Sequence, residues 1–152
     1  MSRGSAGFSL LEVLLVMALI AAVGLLAMAT VGGGLQRMQL RGAANDVAAQ
    51  LRFTRAQAIA TGMPQRFTID PAARRWQAPR ERSGTLPAQM QVRFTGARQL
   101  QPRAGEGAIV FFGDGASSGG RVQLQAGQAA WQVDVAWLTG QVSLRPLNGQ
   151  AP

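Results

Sequence analysis

The sequence predicts an α+β protein: a long N-terminal helix, apolar in its first half and amphipathic in its second, packed on a small antiparallel β domain. Three observations carry this. Positions 13–35 hold no charged residue. Leu40, Ala44, Val47, Leu51, Thr54 and Ala58 then recur at spacings of three and four, the signature of one helical stripe. After Pro64 the apolar period falls to two, which is the period of strands.

The apolar run begins at Phe8 and gives the ~20 residues that a helix needs to cross a bilayer, so residues 8–34 are expected to span a membrane. The run is too long for the apolar core of a cleaved secretory signal, and no small-x-small site clearly follows it. Residues 35–62 continue as an amphipathic helix whose stripe should pack on the globular domain. Gly32, Gly33 and Gly34 each cost about 1 kcal/mol relative to Ala in a helix, which predicts a bend or a melted turn between the halves. Gly62 and Pro64 should end the helix. Arg37, Arg41, Arg52 and Arg55 share one sector beside the stripe and are read as a solvated face, with anionic headgroups or acidic groups of a neighbouring subunit as the other readings.

Residues 63–152 read as seven short strands. Phe67 and Ile69 alternate before an Asp70-Pro71 turn, and residues 74–78 carry Trp76. Met90, Val92 and Phe94 alternate, residues 108–112 form a continuous apolar run, and Val122 alternates with Leu124. Trp131, Val133, Val135 and Trp137 make the sixth strand, and Val142 and Leu144 the seventh. Gly127 and Gly140 mark tight turns, so the last three strands should form an antiparallel meander. The stretch 80–107, rich in Arg, Gln, Gly and Pro around one strand, is read as a surface loop region, and 113–120 as a flexible hairpin loop whose glycines permit positive φ. The tryptophans Trp76, Trp131 and Trp137 are read as core or interface residues rather than a stacking platform.

Composition excludes much chemistry. The chain of 152 residues has no His and no Cys, which removes the commonest general base, thiolate nucleophiles and the usual zinc ligands. The acids Asp46, Asp70, Glu81, Glu106, Asp114 and Asp134 are scattered, with no spacing that suggests a paired-carboxylate site or a calcium loop. The 113–120 loop lacks the Lys-Ser/Thr and the helix N-terminus of a phosphate cradle. No catalytic residue, metal site or cofactor is expected. The formal charge is +8, and every basic residue is Arg; together with the richness in Ala and Gly this is read as codon bias before phosphate recognition.

One acid is different. Glu12 stands inside the apolar run, where a carboxylate costs about 3 kcal/mol at mid-bilayer unless it finds a partner. In the first helical turn the macrodipole partly compensates that charge. The local sequence Gly7-Phe8-Ser9-Leu10-Leu11-Glu12, behind a short leader carrying Arg3, resembles the type III signal of type IV pilins and type II secretion pseudopilins. That resemblance implies a leader of residues 1–7, cleavage after Gly7 by a membrane-embedded prepilin peptidase, N-methylation of Phe8, and retention of the helix as a single-pass anchor in the bacterial inner membrane. It also implies a periplasmic C-terminal domain, which the flanking Arg3, Arg37 and Arg41 do not decide by themselves. Glu12 would then pair with the Phe8 amine of a neighbouring subunit, since the two charges are costly alone and compensate one another at low dielectric.

Two further stretches extend the resemblance to most of the chain. Leu51-Arg52-Phe53-Thr54-Arg55-Ala56-Gln57-Ala58-Ile59 before a strand, and Ile109-Val110-Phe111-Phe112-Gly113-Asp114-Gly115-Ala116-Ser117-Ser118-Gly119-Gly120 before another, resemble the GspH/FimT family, as does the terminal strand near Thr139-Gly140-Gln141-Val142. The family implies a type IV pilin-like fold and a structural role. One reading is a minor pseudopilin at the tip of a type II secretion pseudopilus, which primes assembly and helps drive folded exoproteins through the outer-membrane secretin. Its partners would be the other minor pseudopilins, the major pseudopilin, the prepilin peptidase, the inner-membrane assembly platform, and exoproteins or the secretin.

The alternative is a FimT-like minor pilin that binds DNA during natural transformation, with Arg74, Arg75, Arg80 and Arg82 around Trp76, and Arg93, Arg98 and Arg103, as phosphate contacts. The secretion reading is preferred. Glu81 and Glu106 interrupt the arginines, and the basic C-terminal tail expected of such a binder is missing.

Overall fold

The computed structural model describes residues 9–97 and 105–148, without the side chains of 25–33 and 148. The chain divides into two units, Met1–Gln36 and Arg37–Pro152. Helix α1 runs over Leu10–Thr61. Eight strands follow among the described residues: β1 Gln65–Asp70, β2 Arg75–Ala78, β3 Arg82–Thr85, β4 Gln91–Thr95, β5 Gly107–Phe111, β6 Gly120–Ala126, β7 Ala129–Val135 and β8 Val142–Asn148.

In the first unit, Leu10, Leu11, Leu14, Leu19, Ile20 and Val23 all stand exposed. Among the described residues no helix is long and apolar enough to cross a membrane. Phe8 and the side chains of 25–33, which belong to the expected span of 8–34, lie outside the described residues. Gly32, Gly33 and Gly34 are helical, so the expected melted turn does not occur and α1 is continuous there. Their intrinsic cost of about 1 kcal/mol each is outweighed by helical flanks on both sides, because propagating a helix is far easier than starting a new one.

In the second unit, all six residues of the expected stripe, Leu40, Ala44, Val47, Leu51, Thr54 and Ala58, are fully buried. The Thr54 hydroxyl satisfies itself on the Gln50 carbonyl at 2.7 Å. The helix ends where the sequence indicates, with Gly62 at φ 66°; a positive φ just past the last turn is a normal helix stop.

Two four-stranded antiparallel sheets complete the domain, in the orders β3-β2-β1-β5 and β4-β6-β7-β8. Phe67 pairs with Ile109 across β1 and β5, and Val122 with Val133 across β6 and β7. These side chains, with Phe111, Leu124 and the helical stripe, form one hydrophobic core. Trp76 joins it, buried and stacked on Phe67 at 6.3 Å. The meander β6-β7-β8 is as expected, with Gly127 and Gly140 at φ 58° and 62°. Pro146 sits in β8, an edge strand, where a missing N–H costs no ladder bond.

Three expectations are corrected. The stretch 80–107 contains a second strand, β3, and buries Leu86 and Met90; its polar sequence reflects an edge strand. Trp137 lies beyond β7 and is 70% exposed, because the chain turns at 136–141. The 113–120 loop is neither a simple hairpin nor loose: it carries the chain from β5 in one sheet to β6 in the other.

Candidate assembly site

Helix α1 begins with Ser9 as its cap. The Ser9 carbonyl accepts from the N–H groups of Glu12 and Val13 at 2.9 and 3.2 Å, and the Ser9 hydroxyl accepts from Leu11 N–H at 3.3 Å. Ser-x-x-Glu is the sequence of a capping box, but the serine hydroxyl serves Leu11 N–H and not Glu12 N–H, so the start is an ordinary serine cap. The Glu12 carboxylate has no hydrogen bond or ion pair among the described residues. It lies exposed beside Val13, Val16 and Met17. The geometry therefore leaves a free carboxylate on an uncovered apolar helix. Gly7 and Phe8, the expected cleavage and methylation positions, lie outside the described residues.

At the other end of α1, Arg37, Arg41 and Arg52 are exposed as expected and Arg55 is half-buried, and three of these four arginines also reach the β domain. Arg55 Nε donates to the Gly115 carbonyl at 3.1 Å, and Arg52 reaches the Val142 carbonyl at 3.4 Å. The Arg41 guanidinium lies 5.8 Å from the Trp131 ring centroid. Guanidinium groups suit this work, since they donate in a plane and stack on aromatics. Helical spacing put these residues beside the core stripe, and only the fold shows that the carbonyls of Gly115 and Val142 arrive there.

The loop that meets Arg55 is closely fitted. Phe112 N–H donates to the Ala116 carbonyl at 2.9 Å, Ser118 N–H to Val110 at 2.8 Å, and Ser117 N–H to Trp137 at 2.8 Å. The Ser117 hydroxyl donates to the Ala136 carbonyl at 3.0 Å. A Cβ on Gly113 would come 2.6 Å from the Gly62 carbonyl oxygen, and one on Gly140 would strike the Gly115 carbonyl oxygen. The crossing segment, the helix end and the β7–β8 turn thus touch through glycine backbones. Around them Ile59, Met63, Phe112, Trp137 and Leu138 remain exposed. Sequence reasoning missed that apolar set, whose members come from three separated segments.

The arginines of the DNA reading do not share one surface. Arg82 turns to the helix, its guanidinium 4.4 Å from the Phe53 ring centroid. Arg75 pairs with Asp70 across β1 and β2, on the face opposite Trp76. Arg74 and Arg80 occupy turns, with Glu81 beside Arg80, and all three have positive φ. Arg98 and Arg103 lie outside the described residues. Arg121 and Arg145 are held by Asp134 at 2.7 and 3.1 Å. Burial raises the Asp134 pKa, but hydrogen bonds from Gln132 and Arg121 and the charges of Arg121 and Arg145 outweigh it and hold the carboxyl below its ordinary value. Among the described residues no group of acids could hold a metal ion.

Residues 43–140 match the family described as Type II transport protein GspH, and residues 2–28 match the Prokaryotic N-terminal methylation motif. The chain belongs to the GspH family. A GspH-family relative, the type II secretion system protein H of Xanthomonas campestris pv. campestris, is 60% identical over 146 residues, covering 96% of this chain and 86% of its own. The minor pseudopilin EpsH of the Vibrio cholerae type 2 secretion system has the same fold, with a TM-score of 0.54 at 18% identity over 72% of this chain and 97% of that one. So does the Pseudomonas aeruginosa type IV minor pilin FimU, at 0.56 and 12% identity over 72% and 90%. Membership of the GspH family makes this a structural protein and not an enzyme, and the methylation motif implies anchoring at the inner membrane.

Proposed function

We propose that this GspH-family chain is a minor pseudopilin at the tip of a type II secretion pseudopilus, where it primes assembly and helps drive folded exoproteins through the outer-membrane secretin. The observation that carries this reading is Glu12: an exposed carboxylate with no partner among the described residues, on a helix whose leucines are uncovered. An uncovered apolar helix calls for neighbours, and a free acid among those leucines calls for a cation. In this reading the prepilin peptidase cuts after Gly7, Phe8 is methylated, and the Phe8 amine of an adjacent subunit pairs with Glu12. The helix anchors the chain in the inner membrane until assembly, and the β domain stands in the periplasm. The other minor pseudopilins, the major pseudopilin, the assembly platform, and exoproteins or the secretin are its partners. The 60% identity to a type II secretion system protein H supports secretion over DNA uptake.

The test is a deletion strain complemented with the full chain. Restored export of a secreted enzyme, with sibling pseudopilins co-purifying, is expected. Export that stays normal in the deletion strain would defeat the reading. Titration of residues 35–152 with duplex DNA completes it: salt-sensitive binding that disappears on replacing Arg74, Arg75, Arg80 and Arg82 would favour uptake instead.

A further inference from the structure

Helix α1 presents a second face beside the buried stripe. Between Gly42, Ala43 and Asp46 on this face and Thr85, Leu86 and Pro87 at the end of β3 lies an open groove of about 420 Å³. Its helical wall is low because Gly42 has no side chain; a Cβ there would meet nothing within 4 Å. One end is closed by Gln89, whose Nε2 donates to Gln39 Oε1 at 2.9 Å.

The opposite wall continues from the outer edge of a sheet. Strand β3 pairs only with β2 among the described residues. Leu86 N–H donates to the Arg74 carbonyl at 2.7 Å, and Trp76 faces Gly84 in register. In an antiparallel ladder the hydrogen-bonded pairs alternate, so Ser83 and Thr85 turn their N–H and C=O groups away from β2, towards an absent neighbour. An edge of this kind is a template for one more strand unless it is blunted. The edge strand β8 carries Pro146; β3 carries no proline.

The helical wall supplies an acceptor. Asp46 is exposed and has no ion pair among the described residues. Its neighbours three and four residues away are Gly42, Ala43, Ala49 and Gln50, none of them a cation. In a chain of net charge +8, an unneutralised acid at a groove is notable.

We propose that this groove docks an extended segment of a sibling pilin-type subunit, which adds to β3 as a further strand and directs a basic side chain to Asp46. The main-chain groups of Ser83 and Thr85 give the segment its direction and register, and Asp46 selects a base in it. A second copy of this chain also offers edge strands, β4 and β5 among them, and the experiment distinguishes it from a sibling. The inference rests on the assembly-subunit reading above, and the experiment separates the two.

The full chain, carrying a photo-reactive residue at Thr85, is expressed in secreting cells beside a control chain carrying it at Leu11. The expected result is an adduct at Thr85 with a sibling pseudopilin, mapping by mass spectrometry to an extended segment that contains Arg or Lys. Asp46→Lys, and independently Gly42→Leu, which fills the open space, should each reduce that adduct at least about tenfold while the Leu11 adduct persists. No adduct at Thr85 with a normal Leu11 adduct overturns the groove and leaves the assembly reading standing. Loss of both overturns both. An adduct with a second copy of the chain or with an exoprotein, or one indifferent to Asp46 and Gly42, also overturns the groove proposal.

Discussion

The Arg55 guanidinium donates to the carbonyl of Gly115 at 3.1 Å, joining the last turns of α1 to the segment that carries the chain from one sheet to the other. Gly140 packs on the same carbonyl so closely that it has no room for a Cβ. Arg55→Ala removes the donor and should destabilise the domain by about 1–2 kcal/mol. Gly140→Ala adds left-handed backbone strain at φ 62° to a steric clash and should cost about 2–3 kcal/mol. Urea unfolding of residues 35–152 measures both, and wild-type midpoints for either variant would contradict the tie.

Gly42 should behave in the opposite way. It is a helical glycine with open space at its Cβ position, so Gly42→Ala is expected to stabilise the same fragment by up to about 1 kcal/mol, seen as a higher Tm. A lower Tm would mean that something fills the groove in the isolated domain.

For Glu12 the expected effect is on assembly and not on processing. Glu12→Ala should leave leader cleavage and N-methylation intact by mass spectrometry, while co-purification of sibling pseudopilins falls at least about tenfold. Glu12→Gln keeps the shape and loses the charge, and should fail equally. If Glu12→Gln assembles normally, the partner of Glu12 is not a cation.

The Arg121-Asp134-Arg145 cluster gives an acid-side signature. A carboxyl held below its ordinary value near 3.8 contributes stability above that pH, and the contribution is lost as pH falls through the lowered folded value. Both arginines are about half exposed, which keeps the effect small, on the order of 1 kcal/mol. Asp134→Asn should therefore be less stable than wild type at pH 7, with the gap closing below about pH 3.8. A gap that is constant down to pH 2 would show that the charge is irrelevant.

Local patterns in the chain were enough for the helix stripe from Leu40 to Ala58, the stop at Gly62, the Asp70-Pro71 turn and the β6-β7-β8 meander. Each depends on contacts close in sequence, where a period of 3.6 or 2 or a positive-φ glycine is readable residue by residue. The Ser9 to Glu12 start was legible for the same reason, as far as its residue types go. Strand β3 escaped notice because an edge strand with little buried area has no alternating apolar signal. The pairing of β1 with β5, the switch between sheets at 113–120, and the meeting of Arg55 with Gly115 and Gly140 join residues dozens of positions apart. Their selection is by packing and backbone hydrogen-bond closure, which no local pattern encodes. The same holds for the groove at Asp46: the sequence showed a lone acid on a helix, and only the tertiary fold placed an unpaired strand edge beside it.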